Sequence, residues 1–182
     1  MTRARRLIFS ALAVLASACK PDSTPPVAAQ PVLGDSADQV MFGMRVALAS
    51  KGIRRADLVA DSAFTYDAMN RIELKRVSTT FYTVNGAKDA VLTSREGTYN
   101  ARLQQLEGRG DVVIVSVDGR RLTSPQLLYD QSRNEVSSDT SFVFTEPGRT
   151  VRGIGFVSDP NLRNLRILRG YQGSINTGTG GR

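Results

Sequence analysis

The sequence predicts an all-β domain preceded by one short helix, and three observations carry that prediction. After Ile53 apolar and polar residues alternate, with Thr, Val, Phe and Tyr frequent, which is the pattern of half-buried strands. Turn signals interrupt the alternation at regular intervals, among them Asn85-Gly86, Asp118-Gly119 and Pro147-Gly148. The segment also repeats: Leu92-Thr93-Ser94 with Tyr99-Asn100 returns as Leu122-Thr123-Ser124 with Tyr129-Asp130. A period near 30 residues that contains two strands describes β-hairpin units that close a core only together.

Composition narrows the function classes. The 182 residues make one domain plus appendages, and 41% hydrophobic with 23% charged residues is the balance of a soluble folded chain. With no Trp, the core has to come mostly from Val, Leu and Ile. His is absent and Cys occurs once. That removes a His general base, Ser–His and Cys–His pairs, a His/Cys zinc site and an internal disulfide. An enzyme built from carboxylates such as Glu96, Asp111 and Asp130 would need two of them facing each other across a cleft, and no spacing argues for that. No catalytic residue, metal ligand or cofactor is therefore assigned.

The elements follow in order. Residues 1–18 form a secretory signal peptide: Arg3, Arg5 and Arg6, an apolar run from Leu7, and the small residues Ala16-Ser17-Ala18 before Cys19. The run is shorter than the ~20 apolar residues that span a bilayer. Removing this leader takes three of the 24 basic residues and no acid, leaving 21 against 17, a net +4. Nucleic acid loses its main support as a partner. Small residues followed by Cys19 resemble a bacterial lipobox, whose cysteine is acylated, although Ala16 stands where Leu is usual. The A-x-A pattern of ordinary secretion would cut at the same bond.

Residues 19–34, with Pro21, Pro25, Pro26 and Pro31, read as a lipid-anchored tether. Residues 35–52 read as a capped amphipathic helix. Ser36 with Gln39 is a capping box, Val40, Met41, Met44, Ala47 and Leu48 recur on one face, and Gly52 is the stop.

The domain proper covers 53–169, with strands expected at 57–66, 72–83, 89–99, 104–117, 121–130, 134–145, 149–158 and 162–168. Asn85-Gly86 and Asp118-Gly119 are read as type I′ hairpins. Residues 170–182, mostly Gly, Thr, Asn and Gln, are read as a disordered tail. Parity sets the inner face. Leu106, Gly108, Gly110, Val112 and Ile114 share one side of their strand, and the repeat carries that side to Phe142 and Phe144, opposite Val143. In 72–83 a kink at Arg76 would bring Ile72 and Leu74 to the same side as Val77 and Phe81.

The set Leu92-Thr93-Ser94…Tyr99-Asn100, Gly110-Asp111-Val112, Asp118-Gly119…Leu122-Thr123…Leu128-Tyr129-Asp130 and Val136-Ser137-Ser138-Asp139 resembles the OstA-like repeats of lipopolysaccharide-transport proteins. Its arrangement is closest to the LptC family, and the likeness covers roughly residues 53 to 169. The resemblance implies a twisted, open β-jellyroll whose inner faces hold lipid acyl chains. It further implies that lipopolysaccharide is received from an inner-membrane ABC transporter complex and passed to a periplasmic bridge protein of the same jellyroll type. The protein would then sit on the periplasmic side of the inner membrane, held through acylated Cys19, where family members typically keep a transmembrane helix.

Leu74, Phe81, Leu106, Val112, Ile114, Leu127, Tyr129, Phe142 and Phe144 are the expected lipid-binding trough. Arg54-Arg55, Arg120-Arg121 and Arg152 are basic residues for a phosphate. The first strand (57–66) and the last (162–168) are the expected partner edges, marked by Leu58, Val151, Leu162, Leu165 and Ile167. The alternative is a structural envelope scaffold that binds partners by sheet-edge pairing and carries no lipid. No P-loop is present, so energy for transport would come from a partner.

Overall fold

The structure is a computed structural model that describes residues 37–66 and 69–175, all within one compact unit, Pro31–Arg182. The described residues form nine strands: β1 (Gln39–Ser50), β2 (Ile53–Tyr66), β3 (Arg71–Tyr82), β4 (Lys88–Asn100), β5 (Gln105–Ser116), β6 (Arg121–Asp130), β7 (Glu135–Glu146), β8 (Arg149–Ser158) and β9 (Arg166–Ile175). They pair antiparallel in sequence order in one open sheet, which has β1 and β9 as its two ends. The strands expected between residues 72 and 158 agree with β3 to β8 to within two residues. The all-β jellyroll expectation holds.

Three expectations need correction. The segment read as a helix over 35–52 is strand β1, paired with β2 from Gln39↔Thr65 to Ser50↔Ile53. Of its supposed apolar face only Met44 and Leu48 are buried. They lie four residues apart, a spacing that keeps two side chains on one face of a helix and of a strand alike. Gly52, read as a helix stop, is the second residue of a tight hairpin. Lys51 and Gly52 have φ of 52° and 76°, the double positive φ of a type I′ turn.

The second correction concerns the first strand of the sheet. The segment 57–66 belongs to β2, which is paired on both sides, so the N-terminal edge is β1. Third, the tail read as disordered from residue 170 begins inside β9, which pairs with β8 as far as Arg149↔Ile175. Gly170 and Gly173 gave that stretch a loop's composition, but the ladder to β8 supplies its backbone hydrogen bonds. The leader, the tether with Cys19, and residues 176–182 lie outside the described residues.

Two hairpins also differ in turn type. At Asn85-Gly86 and Asp118-Gly119 positive φ falls on the glycine alone. The Gly86 N–H donates to Thr83 O at 3.0 Å and the Gly119 N–H to Ser116 O at 3.1 Å. These are type I turns followed by a left-handed glycine bulge, not type I′.

A single row of irregularities crosses all nine strands. It runs from Gly43 through Asp61, Arg76 and Arg95 to Gly110-Asp111, then through Pro125 and Asp139-Thr140 to Gly155 and Gly170; no ladder pair joins neighbouring strands at these positions. Gly43, Arg76, Gly110, Asp111, Gly155 and Gly170 all have positive φ, which bends a strand sharply. Along this crease the sheet folds over, so that the two halves of β2 to β8 turn their inner faces toward a common core. On β2, β3, β4 and β6 the buried positions step by three across the crease: Ala60 to Ala63, Leu74 to Val77, Ser94 to Gly97, Ser124 to Leu127. The kink considered at Arg76 is therefore real, with φ 50°, and it places Leu74, Val77 and Phe81 inside together.

The crease also accounts for the repeat. Arg95, Pro125 and Gly155 follow one another at the period of the repeat. The Ser94 hydroxyl donates to Glu96 O at 2.8 Å and the Ser124 hydroxyl to Gln126 O at 2.9 Å. Leu-Thr-Ser is thus a corner motif: the leucine fills the core and the serine satisfies a carbonyl freed by the bend. The second half of the repeat ends a strand. Asn100 Oδ1 accepts from the Leu103 N–H, Asp130 Oδ1 from the Arg133 N–H, and Asp159 Oδ1 from the Arg163 N–H, each an Asx cap of a turn.

Candidate functional site

The nine residues expected to line a trough come together. Leu74 and Phe81 on β3, Leu106, Val112 and Ile114 on β5, Leu127 and Tyr129 on β6, and Phe142 and Phe144 on β7 all face the core, none more than 4% exposed. Val143 lies on the other face of β7, half-buried. The same interior contains Leu92, Leu122, Val136 and Phe156. Leu92 and Leu122 carry the signal of the repeated Leu-Thr-Ser, whereas nothing in the local pattern of Phe156 separates it from a surface residue.

The two halves of the sheet meet across this interior. Phe81 of β3 and Tyr129 of β6, far apart in the sheet, touch edge to face with centroids 4.8 Å apart, and Phe142 meets Phe156 at 5.1 Å. Burial pushes the Tyr129 phenol pKa well up. Its hydroxyl donates to Asn134 Oδ1 at 3.2 Å. Polar contacts close the rim around these rings. The Gln131 amide donates to Ala49 O at 2.6 Å, the Tyr99 hydroxyl donates to Gln131 Oε1 at 3.2 Å, and the Asn161 amide donates to Asp89 Oδ2 at 3.0 Å. An interior of this kind holds an acyl chain only when the halves separate. Thr79 lies fully inside it on β3, and its hydroxyl has no hydrogen-bond partner.

The residues expected to mark partner edges divide. Leu58 on β2 and Val151 on β8 are core residues on strands paired on both sides, so they do not lie at an edge. Leu162 is buried in the loop before β9, and Leu165 and Ile167 pack against the core at its rim. The free edges have different characters. Along β1 Val40, Phe42 and Val46 are exposed, Phe42 at 82%. Arg166 and Arg169 are exposed along β9, with Leu168 and Tyr171.

The basic residues expected to meet phosphates are dispersed. Arg54 donates to Asp57 and lies over the Tyr82 ring at 4.7 Å. Arg55 has its Nε buried without a partner. Arg121 and Arg152 are exposed on β6 and β8, and Arg120 pairs with Asp118.

The carboxylates weighed for catalysis do not converge on a cleft. Glu96 accepts from Lys75 at 2.6 Å, and that hydrogen bond lowers its pKa. Asp111 pairs with Arg95 at 3.0 Å on the outside of the crease. Asp130 sits in its turn. Burial alone would raise its pKa, but hydrogen bonds from the Ser132 hydroxyl, the Arg133 N–H and the Gln105 amide hold it at about 2. A general acid needs a raised pKa; Glu96 and Asp130 are shifted the other way. Among the described residues no group of three Cys, Asp or Glu is placed to hold a metal ion.

Comparison with known proteins adds a family and a fold. The family model described as "Lipopolysaccharide-assembly, LptC-related" matches residues 6–176. A search of curated proteins returns no match. Among solved structures the chain is similar to LptH of Pseudomonas aeruginosa, the LptA homologous periplasmic component of the lipopolysaccharide transport device. The TM-score is 0.53 at 15% identity, covering 66% of this chain and 94% of that one.

Proposed function

This chain belongs to the LptC-related family of lipopolysaccharide-assembly proteins, and from that premise we propose that it is a membrane-anchored periplasmic module that carries lipopolysaccharide. In this reading it accepts the lipid from an inner-membrane ABC transporter complex and passes it to a bridge protein of the same jellyroll type. The observation that carries the reading is one sheet whose inner face is apolar and whose two end strands, β1 and β9, each have a partner strand on one side alone among the described residues. An apolar interior takes up acyl chains at about 25 cal/mol per Å² of surface removed from water. Unpaired edges accept neighbouring strands by β-augmentation. Leu74, Phe81, Leu106, Val112, Ile114, Leu127, Tyr129, Phe142 and Phe144 are the proposed trough. Leu162, Leu165 and Ile167 would border the β9 edge. The anchor is acylated Cys19, tested by the intact mass of the mature N-terminus: an unmodified cysteine removes the anchor from the proposal.

Paired photocrosslinking tests the carrier role. A photoreactive residue is placed at Phe144 or at Val143 in cells making lipopolysaccharide. Lipid adducts are expected at Phe144 and not at Val143. No adduct at either position, with the protein folded and in the envelope, would favour a second reading. That reading is a structural scaffold that binds partners through its edges and carries no lipid, and the contact of Phe81 with Tyr129 across the interior speaks for it.

A further inference from the structure

A cavity of about 140 Å³ opens where the loop before β9 meets the turns at the far ends of β5 and β7. Its floor is apolar. Phe144, Val151 and Leu162 line it, and all three belong to the interior cluster, so core side chains form its inner wall. Its rim carries three basic side chains, Arg120, Arg149 and Arg163, and one acidic one, Glu146. Arg120 and Arg163 share one carboxylate, Asp118, the second at 3.7 Å, and Arg149 pairs with Glu146 at 3.4 Å. Three guanidinium groups thus face two carboxylates, which leaves a positive charge unmatched. Arg120 has only 17% of its side chain exposed, and a charge shielded from water acts more strongly on an incoming anion.

We propose that this cavity is a doorway to the interior that recognises a phosphate: Arg120, Arg149 and Arg163 hold the anionic head of an acylated ligand while its chain enters past Leu162. The proposal rests on the lipid-carrier reading and adds to it the place and chemistry of entry. A guanidinium fork matches phosphate oxygens in pairs. The volume is below the ~300 Å³ of a pocket that encloses a whole small molecule, so it fits a head group and leaves the chain to the core. Leu162 stands in the way. It is held at φ 62°, an unfavourable conformation for leucine, in a loop organised by Asp159, whose carboxylate accepts from the Arg163 and Asn164 N–H groups at 2.8 and 3.1 Å. Movement of that loop would withdraw Leu162 and Arg163 together.

Equilibrium binding to the full chain tests this with two probes that share an oleoyl chain: lysophosphatidic acid and monoacylglycerol, each below its aggregation concentration. Lysophosphatidic acid is expected to bind at least about ten-fold more tightly. In R149Q/R163Q, changed at two half-exposed positions, the preference should fall to about three-fold or less with monoacylglycerol binding unchanged. R149K/R163K keeps the charges and should retain most of the preference, and an unchanged thermal midpoint shows that both variants fold. Equal binding of the two probes, or a preference that survives in R149Q/R163Q, overturns the doorway and leaves lipid carriage standing. Binding of inorganic phosphate as tight as that of lysophosphatidic acid also overturns it, because the site would then read a free anion and gain nothing from the chain. Failure of both probes to bind overturns lipid carriage and the doorway with it.

Discussion

Ser124 and Asp130 belong to the repeated motif, and each fixes a bend of the chain through its side-chain hydrogen bonds. The Ser124 hydroxyl lies within hydrogen-bonding reach of Gln126 O at 2.9 Å, Ser141 O at 3.1 Å and the Thr140 hydroxyl at 3.0 Å. It binds two strands at the crease, whereas Ser94, its counterpart in the repeat, reaches Glu96 O. Ser124→Ala is expected to cost about 1–2 kcal/mol, lowering the thermal midpoint by roughly 2–4 °C per kcal/mol, and Ser94→Ala should cost less. Equal losses in thermal unfolding would show that the extra partners of Ser124 contribute nothing. Asp130 makes a prediction in pH. Its folded pKa of about 2 lies below the ordinary carboxylate value, chiefly because three hydrogen bonds overcome its burial. A depressed pKa stabilises the fold above the unfolded-state pKa, and that contribution is lost as pH falls toward the folded value. Asp130→Asn should therefore flatten the decline of stability between about pH 4 and pH 2. An unchanged acid-unfolding profile would overturn the assignment.

At the scale of the element, legibility depended on whether a strand's partners leave a mark in its own sequence. β3 to β8 have neighbours on both sides, alternate clearly and are bounded by strong turn signals, and they were legible nearly to the residue. β1 and β9 are edge strands. Each packs against one neighbour, buries few side chains and shows little alternation; in β1 the two buried residues are four apart, a spacing common to both periodicities. The interior side of most strands was legible from parity. Packing across the interior was not, because the meeting of Phe81 with Tyr129 depends on the bend at the crease, and a bend leaves only a step of three in the pattern of burial. The β1–β2 hairpin offers a direct test of the corrected element. Lys51 occupies φ 52° before Gly52 at φ 76°, and asparagine tolerates that conformation better than lysine. Lys51→Asn should stabilise the protein by about 0.5 kcal/mol, and Gly52→Val should destabilise it by about 1–2 kcal/mol. If the segment were helical, Lys51→Asn would not raise the thermal midpoint.

For the whole molecule, the governing quantity is the free energy that separates the packed interior from one able to admit a chain. The sheet is continuous along the crease, and the charges outside it are matched across strands, Lys75 with Glu96 and Arg95 with Asp111. Separation of the halves is therefore easiest at the rim, where contacts are few and local. Gln131 is the member of that rim joined to two other elements: it donates to Ala49 O on β1 and accepts from Tyr99 on β4. Gln131→Ala removes both bonds and leaves every residue of the proposed trough and doorway in the sequence unchanged. The loss should be about 1–2 kcal/mol, seen as a thermal midpoint lower by a few degrees, and amide exchange should quicken at the end of β1 next to Ala49. If rim opening limits entry of a lipid, the same variant takes up oleoyl lysophosphatidic acid faster than the unmodified chain, with a dissociation constant that changes little or tightens. A variant that is less stable yet loads at the original rate would put the limiting step elsewhere, at the loop that holds Leu162.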